Sequence, residues 1–309
     1  MKTKLVVVMV LLLSGMVNAQ QDAQFTQYMY NSININPAYA GSRQSMNIFA
    51  LHRTQWVGLD GAPVTNTASI NTPINDTKIG LGVSVINDRI GPSDESNLAV
   101  DFSYYINTSK DFKLSFGLKA SANLLNVNFD KLNQYDPNDY SFENNIDNKF
   151  SPNIGVGLYW YSDKTYVGLS VPNLLETKHF DGYAGVGANS YIARERVNYY
   201  LTAGHVFDLD YNLKFKPAMM TKLVQGAPLQ VDLSANFLIN DKFTIGGAYR
   251  WSAALSAMVG FQVSDSWFIG YGYDMETTRL ANFNSGSHEI FLRYEIFKSY
   301  NKITSPRFF

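Results

Sequence analysis

The chain has 309 residues, a formal net charge of -1 and no cysteine. Without a basic patch or a Lys/Arg run there is nothing to hold nucleic acid, and without cysteine there is no disulfide scaffold. Charged residues make up only 17%, against 20 Tyr, 20 Phe and 22 Gly, and the mean hydropathy is -0.15.

The N-terminus reads as an export signal. Lys2 and Lys4 precede an uncharged apolar run from Leu5 to Leu13, and Val17-Asn18-Ala19 offers a small-residue cleavage site before Gln20. That order is a secretory signal peptide. The run is shorter than the roughly 20 apolar residues of a spanning helix. The expected organisation is a signal peptide at 1–19, an N-terminal periplasmic or plug segment at 20–43, a barrel at 44–300 and a short tail at 301–309.

The segment after the signal is aromatic and uncharged: Gln24-Phe25-Thr26-Gln27-Tyr28-Met29-Tyr30, running into Asn34-Ile35-Asn36-Pro37-Ala38-Tyr39-Ala40-Gly41. A disordered tail is poorer in aromatics. The segment is expected to plug a barrel, to brace its rim or to bind a partner.

From there the organising signal is alternation. Leu98, Val100, Phe102, Tyr104 and Ile106 alternate with Asp101, Ser103 and Asn107. Leu114 to Leu124 alternates with Ser115, Gly117, Lys119, Ser121 and Asn123. Leu229, Val231, Leu233, Ala235, Phe237 and Ile239 oppose Gln230, Asp232, Ser234 and Asn236. Ile290, Leu292, Tyr294 and Ile296 oppose Glu289, Arg293 and Glu295. Fourteen strands are predicted, at 44–54, 64–73, 78–86, 96–107, 113–128, 151–161, 165–172, 195–207, 212–223, 228–239, 243–251, 254–263, 267–275 and 288–300.

A soluble sandwich also alternates. Three features favour a membrane barrel. The segments run to about 9–13 residues, the length a tilted strand needs to cross a bilayer, where soluble strands average about 5–6. Trp56, Trp160, Trp251 and Trp267 sit near strand ends, as in an interfacial girdle. Tight polar turns, such as Ser162-Asp163-Lys164 and Asn240-Asp241-Lys242, alternate with connections that include the long ones at 129–150 and 172–194, the habit of outer-membrane barrels. The expected fold is an all-β, transmembrane, antiparallel up-and-down β-barrel of about fourteen strands. An even count returns both mature termini to the periplasm.

Parity then assigns the lumen. Asp101, Lys119, Asp232, Arg250, Glu289, Arg293 and Glu295 are expected to line it, with Ser103, Asn123, Gln230, Asn236, Gln262 and Asp274. A charge facing lipid at mid-membrane costs about 2–4 kcal/mol. Such a lining either grips a ligand or pairs internally to hold the barrel shut. His52, Arg53, Gln55, Trp56, Asp88, Arg89 and Asp274 form a candidate partner-binding cluster at the outer rim, if the loops at 55–63, 87–95 and 276–287 share one end. Equally, Arg53, Asp88 and Asp274 would pair there to brace it.

Enzyme signatures are missing. The four His, at 52, 179, 205 and 288, have no metal spacing, and no Gly-x-Ser-x-Gly elbow occurs. His288 and Glu289 are neighbours on a strand, so they point to opposite faces. Gly80-x-Gly82 and Gly155-x-Gly157 read as places of close packing, not phosphate loops. No cofactor is expected.

Several motifs, taken in order, resemble the PorP/SprF family of type IX secretion membrane proteins. They are Gln27-Tyr28-Met29 with Asn36-Pro37-Ala38-Tyr39-Ala40-Gly41, His52-Arg53-x-Gln55-Trp56-Val57-Gly58, Gly61-Ala62-Pro63 and Asp88-Arg89-Ile90-Gly91-Pro92. Val167-Gly168-Leu169-Ser170-Val171-Pro172-Asn173, Tyr271-Gly272-Tyr273-Asp274, Gly286-Ser287-His288-Glu289-Ile290 and Ser305-Pro306-Arg307-Phe308-Phe309 follow. The resemblance implies a bacterial outer-membrane barrel working with the type IX apparatus. Its expected partners are a secreted substrate such as a large surface adhesin, subunits of the secretion machine, and outer-membrane lipid. The residues alone leave three functions open: a partner-binding barrel, a pore for small or apolar solutes, and, with nothing asking for it, an enzyme.

Overall fold

The computed structural model describes residues 28–74, 77–132, 145–176 and 196–296. The expected signal peptide, its cleavage site, residues 20–27, the 301–309 tail and most of the two long connections lie outside these residues.

The described chain is almost all strand. The strands are β1 (Met46–Thr54), β2 (Val64–Pro73), β3 (Ile79–Ile90), β4 (Ser93–Asn107), β5 (Lys113–Val127), β6 (Ile146–Tyr161), β7 (Thr165–Val171) and β8 (Asn198–His205). They continue with β9 (Phe207–Asp210), β10 (Leu213–Val224), β11 (Gln230–Ile239), β12 (Phe243–Arg250), β13 (Ala254–Gln262), β14 (Trp267–Glu276) and β15 (Ser287–Ile296). Pairing is antiparallel throughout and follows chain order. The ring closes where β1 pairs with β15, Met46 opposite Ile296 and Thr54 opposite His288. β8 and β9 both pair with β10 and together occupy one wall position. The result is a closed antiparallel barrel of fourteen wall strands with one extra short strand.

The distribution of burial is inside out. Leu118, Leu98 and Ile154 are 59%, 51% and 51% exposed, while Asp101 and Thr65 are 0%. A soluble sheet buries its apolar face. Apolar outside and polar inside is the arrangement of a wall that faces lipid, and a closed ladder is what satisfies the backbone there. Aromatics mark both ends. Trp160 stacks on Phe112 at 4.2 Å and Trp267 leans on Tyr294 at 4.5 Å, at the end carrying the short turns. Trp56 and Trp251 stand just beyond β1 and β12 at the opposite, loop-bearing end. Two such belts are an interfacial signature.

Most strand boundaries differ from the expectation by one to three residues, and some differences are instructive. The loop expected at 87–95 is a tight hairpin, because Gly91 takes a φ of +54° and lets Ile90 pair directly with Ser93. Asn87 donates to Asp94 at 2.7 Å and to Ser96 at 3.0 Å, so polar cross-strand bonds extend the ladder past its apolar part. β6 begins at Ile146, not 151. The strand expected at 195–207 breaks at Val206, which turns inward onto Leu238, and resumes as β9. β15 runs from Ser287, and residues 297–300 fall outside the described chain.

Replacing outward-facing Leu118 by Arg should cost about 2–4 kcal/mol of unfolding free energy if the site sits near mid-bilayer. Urea titration of the barrel folded into lipid vesicles measures it, and an unchanged midpoint would contradict a lipid-facing wall.

Candidate functional site: the barrel interior and its loop-end rim

The interior is occupied by the protein's own chain. From Tyr28 the backbone crosses the ring through two short 3-10 turns, Ser32–Asn34 and Pro37–Tyr39, and enters β1 after Ser45. It meets the wall on nearly every side. Tyr30 packs on Phe291 at 4.8 Å and on Phe268 at 5.5 Å. Ser69 donates to Asn31 at 3.1 Å, and Asn34 donates to Thr67 at 3.1 Å. Ser170 donates to the Ile35 carbonyl at 2.6 Å, and Asn36 donates to the Leu158 carbonyl at 3.0 Å. Ser103 donates to the Ala40 carbonyl at 2.8 Å.

Inward-facing glycines make room for it. A Cβ on Gly117 would collide with the Ala38 backbone, one on Gly80 with the Ala40 carbonyl, and one on Gly157 with the Asn36 side chain. Gly82 meets Ile33 in the same way. Strand glycines weaken a sheet but permit another backbone to approach. That is the close packing expected of Gly80-x-Gly82 and Gly155-x-Gly157. Beside Met29 remains a cavity of about 10 Å³, lined by Ser234, Asn236 and Ser256, room for about one water.

Around this segment the buried charges are paired. Lys119 lies 3.2 Å from Asp101 and also donates to the carbonyls of Ile33 and Asn34, at 3.2 and 3.4 Å. Arg43 Nε donates to Glu295 at 2.6 Å. The Arg293 guanidinium sits 4.6 Å above the Phe268 ring. Each pairing offsets the desolvation of a charge removed from water.

A second charged layer lies toward the loop end. Arg53 contacts Asp274 at 2.7 Å and Glu289 at 2.9 Å, all three side chains no more than 3% exposed. Thr65 donates to Asp88, and Arg250 meets Asp232 at 3.2 Å. The connections above are laced together. Val57 N–H donates to the Gly286 carbonyl at 2.9 Å, Ser285 N–H to the Val57 carbonyl at 2.8 Å, and Gly91 N–H to the Gly61 carbonyl at 2.9 Å. Trp56 donates its indole N–H to Glu276 at 2.9 Å, and Gln55 N–H donates to the Pro63 carbonyl at 2.9 Å. The three connections between β1 and β2, β3 and β4, and β14 and β15 therefore do share one rim.

The seven candidate rim residues do not form one cluster. Arg53, Asp88 and Asp274 face inward, and Gln55 and Trp56 lie in the laced loop. His52 faces outward and bonds Asn66 at 2.8 Å, because it precedes inward Arg53 by one residue. Arg89 also faces outward, 64% exposed, against Asp94 at 3.0 Å. Asp88 and Arg89 stand on β3, not on a loop. All seven candidate lining residues turn inward, as parity requires, and their partners are other wall side chains or the interior segment itself. Parity also held a signal left unused. Phe291 shares its face with Glu289 and Arg293, which marks it as an inward aromatic awaiting a partner, and that partner is Tyr30. Among the described residues no group of three or more His, Asp or Glu is placed to hold a metal.

The model of the type IX secretion system membrane protein PorP/SprF family matches residues 17–294. The chain belongs to this family. No curated protein matches it. Among solved structures, the toluene transporter TbuX of Ralstonia pickettii aligns with a TM-score of 0.52 at 12% identity, covering 88% of this chain and 93% of TbuX. The outer membrane protein Omp33 of Acinetobacter baumannii aligns at 0.47 and 10% identity, over 82% and 99%. The likeness to TbuX carries the barrel fold and nothing about a ligand.

Two outcomes follow for this PorP/SprF barrel. Since it has no cysteine, Asn34→Cys with Thr67→Cys should form one disulfide between segment and wall. Gly117→Leu, which intrudes on Ala38, should abolish that disulfide, read as a mobility shift on non-reducing gels. Arg53→Ala strands two buried carboxylates and should cost about 3–5 kcal/mol in thermal or urea unfolding. Combining it with Asp274→Asn and Glu289→Gln should restore much of that.

Proposed function

We propose that this is a non-enzymatic, partner-binding barrel of the type IX secretion system. It binds a secreted protein, such as a large surface adhesin through its C-terminal domain, or docks to the secretion machinery, and so supports export or surface attachment. Both termini of the mature chain lie on the periplasmic side, and the laced loops face outward. The 20–43 segment acts as a resident plug. The observation that carries this reading is the packed interior: residues 28–44 are bonded to the wall around most of the ring, so contacts with a partner fall to the rim and the wall top. Loops held by a rigid scaffold are a usual place for binding, and Arg53, Asp88 and Asp274 hold the rim in shape for Gln55 and Trp56.

A second reading, a pore for small or apolar solutes, draws on the toluene transporter among the structural neighbours. The packed interior argues against it. Purified protein in planar bilayers should show little steady conductance, and deleting residues 28–41 should raise it. Large, stable conductance from the intact chain would favour the pore. The partner reading itself is tested by mild-detergent purification of the tagged, full-length protein from native membranes. A secreted protein at near-equal amount, or secretion subunits, is expected, and an empty bait defeats the reading.

A further inference from the structure

Most of the outer wall is unbroken apolar surface. β4 presents Leu98, Val100, Phe102, Tyr104 and Ile106, and β13 presents Leu255, Ala257, Val259 and Phe261. The seam differs. The outward side chains of β1 are Met46, Ile48, Ala50, His52 and Thr54. A strand needs about 9–11 residues to cross the hydrocarbon layer, and β1 has nine. It has none to spare, so His52 stands within the layer and Thr54 at its edge.

The neighbouring strands add polar groups at the same place. In the sheet register Tyr271, Ile290, His52 and Asn66 form one row across β14, β15, β1 and β2. Tyr273, His288, Thr54 and Val64 form the next row toward the loops. His52 Nδ1 meets Asn66 Oδ1 at 2.8 Å, and His52 Nε2 meets the Thr54 hydroxyl at 3.1 Å. The Tyr271 hydroxyl meets His288 Nδ1 at 2.6 Å, and the Tyr273 ring lies 5.3 Å from the His288 ring. Among the described residues the Asn66 amide N–H groups and His288 Nε2 take no hydrogen bond. The strands from β14 to β3, and the loops that join them at this end, all belong to the described residues.

Polar side chains turned to hydrocarbon are costly and mark a site of function. The molecule beside a lipid-facing wall is lipid, and the shape of this notch suits one. The next row toward the turns is Leu292, Ala50, Ala68 and Val85. The two alanines stand directly opposite each other and leave a recess between the longer side chains that flank them. Hydrogen-bonding groups thus sit above a recessed apolar strip, as a headgroup sits above an acyl chain. Charge narrows the headgroup. Arg89, outward and opposite Val64, is already held by Asp94 at 3.0 Å. An anionic group would find no free Arg or Lys in these rows, whereas hydroxyl groups would find both donors and acceptors. The Tyr and His rings offer faces on which a sugar ring can lie.

We propose that this outward notch at the seam binds the hydroxyl-rich sugar headgroup of an outer-leaflet glycolipid, with an acyl chain along Ala50 and Ala68. The inference goes beyond the partner-binding reading and takes from it only the orientation, with the loops outward. His52 and Arg53 are neighbours on opposite faces of β1, so the lipid stands directly behind the ion pairs that brace the rim.

The test uses the full-length protein purified in mild detergent from native outer membranes, with its lipids quantified by mass spectrometry. His52→Leu combined with Asn66→Leu removes the polar pair and leaves an apolar wall. Folding is checked by the heat-dependent gel mobility of barrels. Glycolipid recovered per barrel should fall about tenfold with the double variant, as two or more hydrogen bonds are lost, while phospholipid recovery stays unchanged. If the double variant does not fold, the photocrosslinker p-benzoylphenylalanine in place of Tyr271 gives the answer instead. A glycolipid adduct from there supports the proposal. Unchanged glycolipid recovery overturns it, and so does a crosslink only to phospholipid, to a second copy or to another membrane protein, or no crosslink at all. The partner-binding reading is scored separately in the same purification. A bait that brings down neither a secreted protein nor secretion subunits defeats that reading and leaves the lipid result to stand by itself.

Discussion

A ring of fourteen strands encloses more space than its own inward side chains can fill, and the rest of this molecule follows from how that space is taken up. Here it is filled by chain, not by large side chains. Gly80, Gly82, Gly117 and Gly157 give up their side chains so that Ile33, Asn36, Ala38 and Ala40 can lie against the sheet. Where the wall does carry bulk, as at Phe49, Phe268 and Phe291, it meets Tyr30 in one aromatic cluster. Segment and wall are two halves of one core, and neither half would pack without the other.

The same filling explains the pattern of charge. Inside a packed barrel a lone ion is costly, so each must have a partner. Several of these pairs meet at one place, the seam between the first and last strands. Arg53 stands directly opposite Glu289 in the β1–β15 register. Arg43, just before β1, reaches Glu295 near the end of β15. The seam is the contact of greatest sequence separation in the ring and carries the largest loop-closure cost. It is locked near both ends by buried ion pairs, and the inner pair also ties down the segment that fills the core.

Much of this was legible in the sequence, because a period of two is hard to hide over ten residues. The runs at 98–107, 114–124 and 229–239 could face only one way in a lipid-bounded wall. The β3–β4 hairpin was missed for a physical reason. Asn87, Arg89, Asp94 and Ser96 look like loop residues, yet they pair across the strands beyond the apolar band, where water is available and polarity costs nothing. His52 and Arg53 are adjacent in sequence, but adjacency on a strand sends them to opposite faces of the sheet. For the aromatic N-terminal segment the sequence leaves plug, rim brace and partner-binding arm side by side. Composition shows that such a segment must pack, but its receptor is made of glycines and phenylalanines scattered over strands far apart in the chain.

The seam and β7 lie on opposite sides of the ring, since β7 is about equally distant from the β1–β15 junction in both directions around the order of strands. The seam side is locked by charge and by laced loops. A filled barrel has little lumen surface with which to recognise anything, so a partner would meet loops and the top of the wall. The rigid seam serves those loops directly, because Arg53 fixes the ends of β1, β14 and β15 from which two of the laced connections spring.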